Sequence, residues 1–149
     1  MLNQKEQNTI DKAIAIIESK ALKTDLLATS SYAVKKYCQL HLALHEREHF
    51  GVLFLNSQHE LISLEIMFTG TVNAAAVYVR EVAKLALKLN SVSVLLCHNH
   101  PGGTLEASSA DKVITERLVK ALGMLDINVL DHIIVSDRGA FSFSENGLL

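Results

Sequence analysis

The chain has 149 residues, 49 per cent of them apolar and 20 per cent charged, with a single proline. That length and composition describe one globular domain with a real core and exclude a disordered chain. A formal net charge of -2 gives no electrostatic footprint for nucleic acid, whose tight binding usually needs a clustered basic surface, so DNA is not the expected partner.

The polar start, MLNQKEQNTIDK, has no signal-peptide apolar region, and no apolar run reaches membrane-spanning length. Two cysteines, Cys38 and Cys97, stand far apart in no ligand-like spacing. A disulfide framework is not expected, and the reducing cytoplasm is the natural compartment.

The first forty-odd residues read as helical. Ile10, Ala13, Ile14, Ile17 and Ala21 recur at helical spacing, with Asn8 or Thr9 available as N-cap. After a polar break from Lys23 to Thr29, a second helix from Ser30 or Ser31 places Ala33, Val34, Tyr37 and Cys38 on one face. Residues 1–45 thus form an N-terminal helical segment, expected to cap the main domain or to serve self-association as a homodimer.

From Glu48 the pattern changes. HFGVLFLN and ELISLEIMF lack a helical period, and the turn-like Asn56-Ser57-Gln58-His59 between them makes a β-hairpin. Gly70 ends the second strand. Asn73 is expected to cap a helix in which Val77, Val82, Leu85, Ala86 and Leu89 repeat at three and four. The near-continuous hydrophobicity of SVSVLLCH predicts a short strand covered on both faces. The loop NHPGGTLEA follows, then a helix from about Ser109 to Leu122, then strands in INVLDHIIV and AFSFS. The sum is an α/β fold, a mixed β-sheet with flanking helices, occupying residues 46–149.

The informative stretch is His98-Asn99-His100-Pro101-Gly102-Gly103, continued to Ser108 and Asp111. At a strand end, residues two apart point to the same side, so His98 and His100 face one point while Cys97 and Asn99 face away. The loop then leads into a helix whose first turn holds Asp111. Two imidazoles and one carboxylate so arranged suit zinc, with a fourth position kept open for a water whose pKa falls to about 7. The same residues have a plainer role: Ser108 as N-cap with an acid three positions on is an ordinary helix start. The two roles are compatible, because a cap also fixes where Asp111 points. A hydrolase needs a proton shuttle as well, and Glu48, leading the first strand, is the candidate. Glu46, two residues away, is the competing choice. Gly102 and Gly103 serve the turn, and alternation sends the Cys97 thiol into the core.

The pattern HxH-x7-SxxD with an upstream glutamate resembles the JAMM or MPN+ metalloprotease signature, and within that superfamily the RadC-like proteins. EREHFGVLFLN, FTGTVN, Arg80-Glu81-Val82, HNHPGG, SADKVITERL, LDHIIV and the terminal FSFSENGLL carry the similarity over residues 46 to 149. The resemblance implies a JAB/MPN-like catalytic domain with a cytidine-deaminase-like layout. It also implies one zinc per chain on His98, His100 and Asp111, with Glu48 as general base and acid and Ser108 as donor to the developing oxyanion. The implied reaction is hydrolysis of a peptide or isopeptide amide in a peptide or protein substrate. Asp131 and His132 match a pair common in the family, for which a structural role or support of a ligand is expected. The chain departs from the family at three positions. Gly102 replaces the serine of HPSG, Ala107 a proline before the motif serine, and Val79 a proline before the Arg-Glu pair.

Two other functions stand beside this one. A RadC-type accessory protein of DNA repair, or a partner-binding protein without hydrolysis, would use the fold alone, with no need for an intact ligand set. A structural zinc site would close with four protein ligands, against the three counted here.

Overall fold

The computed structural model describes residues 1–20, 30–70 and 77–149. In chain order these form α1 (Gln4–Lys20), α2 (Ser31–Leu42), β1 (His49–Leu55), β2 (Leu61–Thr69), α3 (Val79–Lys88), β3 (Ser93–Asn99), α4 (Ser109–Gly123), β4 (Asn128–Ser136), β5 (Gly139–Ser142) and a short 3-10 turn, Ser144–Asn146. The five strands make one mixed sheet in the order β2-β1-β3-β4-β5. β3 runs antiparallel to β1 and parallel to β4. The expected α/β architecture is therefore present, and among the described residues no helix is long and apolar enough to cross a membrane.

The period of two sorts side chains into two cores, one on each face. Leu53 and Leu55 of β1, Leu95 and Cys97 of β3, and Ile133 and Val135 of β4 meet Val34, Tyr37, Cys38 and Leu42 of α2. Val52, Phe54, Val94 and Leu96 face the other way, against Val82 and Ala86 of α3 and Leu118 and Leu122 of α4. All seven residues of β3 are buried, as expected for a strand covered on both faces. Alternation sends Cys97 to the α2 face, where its neighbour is Cys38. The two residues far apart in sequence share one core as free thiols. A hydrogen bond with Cys38 and burial both hold the Cys97 thiol well above its usual pKa.

The helices start for local reasons. Ser30 caps α2 by accepting from Ala33 N. The start of α1 corrects the sequence reading. The cap is Asn3, whose Oδ1 accepts from Lys5 N and Glu6 N at 3.0 Å each, while Glu6 answers Asn3 N at 2.7 Å. Asn8 and Thr9 lie inside the helix. Apolar periodicity marks where a helix begins to be buried, and the first turn of α1 is polar and exposed, so the signal began too late. Ile14 and Ile17 pack against the α2-side core. The polar break at 23–29, Ala21 and the proposed cap Asn73 fall outside the described residues. α3 begins at Val79 after Tyr78, which makes no side-chain cap bond. Val79 is thus the first helical position, where proline is favoured but not required.

Gly51 sits beside a register shift between β1 and β2. A Cβ there would stand 3.0 Å from Cys97 Sγ and 3.3 Å from Leu64 Cδ1. Gly51→Ala should therefore overpack the centre of the sheet and destabilise the fold by about 1–3 kcal/mol. Thermal unfolding checks this, and an unchanged midpoint would show that the strands part freely at that point.

Candidate metal centre

His98 is the penultimate residue of β3, paired with Phe50 of β1 and Ile134 of β4. His100 follows one residue past the strand, its N–H still bonded to Val135 O at 2.9 Å. The strand's alternation therefore carries through, and both rings face the α4 side. Their Nε2 atoms are 2.8 Å apart. The turn that follows closes by Gly103 N donating to His100 O at 2.9 Å. Gly103 takes a φ of +83° there, while a Cβ on Gly102 would meet nothing within 4 Å. The serine usual at that position would fit, so its absence does not alter the turn.

Asp111 enters from the first turn of α4. Ser108 Oγ accepts from Asp111 N at 3.1 Å, and the Asp111 carboxylate accepts from Ser108 N at 2.8 Å. This reciprocal cap holds the carboxylate with Oδ1 3.2 Å from His98 Nε2 and Oδ2 3.5 Å from His100 Nε2. The capping role and the site role are thus the same geometry. Burial alone would raise the Asp111 pKa, but the two histidines and Ser108 outweigh it and hold the carboxyl well below its usual range. Contact with Asp111 raises the His100 pKa, and burial opposes the rise without cancelling it. Ser108 itself is exposed and is hydrogen-bonded to Asp111.

Of the two candidate acids, Glu48 lies nearer the histidines. Its Oε1 lies 3.7 Å from His100 Nε2, whereas Glu46 is exposed on the preceding turn, outside the group. Strand alternation does not reach back to Glu46, because β1 begins only at His49. Glu48, His98 and His100 each offer one ligand atom, and all three atoms lie within 4.8 Å of one another. A tetrahedral ion with ligands at about 2.0–2.1 Å spaces those ligands roughly 3.3 Å apart. The contacts of 2.8, 3.2, 3.5 and 3.7 Å bracket that spacing, so the donor set fits a small divalent cation.

Two contributors, Asn99 and Thr115, escaped the sequence reading, and His132, expected to be structural or to support a ligand, lies against His98. Asn99 was expected to face away from the site, and it does. From behind, its Oδ1 accepts from His49 N at 2.7 Å and its Nδ2 donates to Arg47 O at 3.0 Å and His45 O at 3.3 Å. It therefore grips the backbone on both sides of Glu48. A fully buried amide on an otherwise apolar strand was the available signal, because such a group must find partners. His132, also fully buried, places Nε2 2.8 Å from His98 Nδ1. Thr115 bonds to both His132 Nδ1 and Asp111 O. Burial holds the His132 pKa well below the usual histidine value. The neighbouring Asp131 is structural: its carboxylate accepts from Ser142 Oγ and Ser144 N, tying β4 to the end of β5 and the chain after it.

Replacing Asn99 by alanine would leave buried backbone groups unmatched, at a cost of about 1–3 kcal/mol, and free the segment that carries Glu48. Urea denaturation should show the loss. Wild-type stability in Asn99→Ala would mean that the segment is held by other contacts.

A family model for the RadC-like JAB domain matches residues 28–148. The UPF0758 protein YkfG of Escherichia coli K12 is 43% identical over 148 residues, 99% of this chain and 94% of its own. The UPF0758 protein YeeS of the same organism is 46% identical over 144 residues, 97% of each chain. The UPF0758 protein PSHAa2643 of Pseudoalteromonas translucida is 50% identical over 125 residues, 84% of this chain but 56% of its own. With the match covering most of its length, and YkfG and YeeS aligned over 94% and 97% of their own lengths, the chain belongs to the RadC-like JAB domain family of UPF0758 proteins.

Proposed function

We propose that the protein is a zinc-dependent hydrolase that cleaves a peptide or isopeptide amide bond. The observation that carries this reading is the convergence of Glu48, His98 and His100 ligand atoms within 4.8 Å, with the Asp111 carboxylate against both rings. Imidazole nitrogens with carboxylate oxygens suit zinc among the common divalent ions. A zinc ion held there supplies Lewis acidity to a substrate carbonyl and to water.

The chain's own residues do the rest. His98, His100 and Asp111 hold the ion. Glu48 Oε1, 3.7 Å from His100 Nε2, takes the proton of an attacking water and returns it to the leaving nitrogen. Ser108 uses its oxygen lone pair for the cap and keeps its hydroxyl hydrogen to donate to the charge developing on the carbonyl oxygen. A cavity of about 200 Å³ opens beside Glu48, His98 and Asp111, walled by Phe68, Val77, Val113 and Ile114, with Arg117 at its edge. Those walls suit an apolar substrate side chain next to the scissile amide, and Arg117 suits a carboxylate beyond it.

Metal content of protein purified without chelator tests the site. We expect about one zinc per chain, lost in the His98→Ala/His100→Ala double variant. Glu48 and Asp111 exchange roles in the alternative ligand set, and they separate cleanly. If Asp111 is the ligand, Asp111→Asn loses the ion. Glu48→Gln then keeps it while amide hydrolysis falls by roughly 10²–10⁴-fold. Loss of metal in Glu48→Gln alone would make Glu48 the ligand. Wild-type protein that contains no metal and takes up none from added zinc would sink the hydrolase and leave a partner-binding role.

A further inference from the structure

Thr115 and His132 contact none of the cavity, yet they are 2% and 0% exposed and joined in one chain of hydrogen bonds ending at His98. In such a chain each hydrogen can be placed by elimination. The Asp111 carbonyl oxygen carries no hydrogen, so Thr115 Oγ1, 2.5 Å away, must donate to it. A hydroxyl has a single hydrogen. Toward His132 Nδ1, at 2.6 Å, Thr115 can then only accept, and Nδ1 of His132 is the N–H. His132 is packed between Phe50 and Phe143 with no exposed surface, surroundings that favour the neutral ring. A neutral imidazole with its hydrogen on Nδ1 has a bare Nε2. That bare nitrogen lies 2.8 Å from His98 Nδ1, which must therefore be an N–H in turn. With its Nδ1 hydrogen committed to His132, His98 turns Nε2 toward His100 and Asp111. His100 is held separately, its Nδ1 donating to Thr104 O at 2.8 Å.

We propose that His132 and Thr115 are positioning residues that lock His98 in the Nδ1–H tautomer, so that its Nε2 lone pair points at the metal position. The hydrogen order starts from the backbone carbonyl of Asp111. The helix turn that delivers the carboxylate thereby also dictates which nitrogen of His98 is bare. The purpose assigned to the lock rests on the zinc reading above, but the lock itself does not need an ion to be observed.

Two-bond proton–nitrogen correlation spectra of metal-free protein labelled with nitrogen-15 histidine read the tautomer directly. The wild type should show His98 protonated on Nδ1. Thr115→Val removes the acceptor for His132 with little change of shape, and should move His98 toward the Nε2–H form. Zinc affinity, measured against a competing chelator, should fall with it by about 10–100-fold. Thr115→Ser restores the hydroxyl and should restore both readings, which a role in packing alone would not predict. A wild-type His98 with a bare Nδ1, or a tautomer that is indifferent to Thr115→Val, would overturn the proposal. The wild-type spectrum decides even if a variant folds poorly. Absence of zinc uptake by a wild type with the expected tautomer would count against the metal centre and not against the lock.

Discussion

β3 cannot slide. It is hydrogen-bonded on both sides, antiparallel to β1 and parallel to β4, and helices cover both of its faces. A shift of one residue would turn Val94 and Leu96 into the α2-side core and Leu95 and Cys97 into the other, exchanging every contact at once. The apolar residues therefore fix the register, and the two histidines at the strand's end inherit it. The packing of the residues before them turns His98 and His100 to one side, and the bonds of their Nδ1 atoms to His132 and Thr104 hold the rings there.

Against that fixed strand end, the acidic residues are brought up by backbone chemistry. A helix start has N–H groups in need of acceptors, and the Ser108–Asp111 pair supplies them. The carboxylate that would meet a metal is thus already committed to α4 by its second oxygen. Glu48 arrives through the grip of Asn99 on the chain to either side of it. Each member of the cluster is held by a bond that the fold would make in any case. The site consequently imposes little arrangement of its own.

What the sequence revealed and what it hid follow the range of the forces involved. The hairpin, the buried strand and α4 were legible because burial alternates or recurs within a few residues. His98, His100 and Asp111 were legible because a strand end and a helix start have fixed local geometry. Cys97 was correctly sent to the core, but its meeting with Cys38 was not foreseen, because it depends on how α2 lies across the sheet. The partnership of His132 with His98 was hidden for the same reason. Strand periodicity gives the face of a residue, whereas its neighbour depends on the pairing of β3 with β4. The helix starts were least legible: Asn3 caps α1 ahead of any apolar signal, and Tyr78 precedes α3 without a side-chain bond.

The order of the strands separates the possession of the site residues from their alignment. Glu48, His98, His100, Ser108 and Asp111 all precede α4's second turn, while β4 follows from Asn128. A growing chain therefore holds every chemically active group before it holds the strand that flanks β3 on its second side. Until that strand arrives, β3 has an open edge and His98 lacks its contact with His132. Alignment of the cluster is then a late event in folding, conferred by a strand that does not line the cavity beside it. The long loop closures that join Phe50 to His98 and His98 to Ile134 govern its rate.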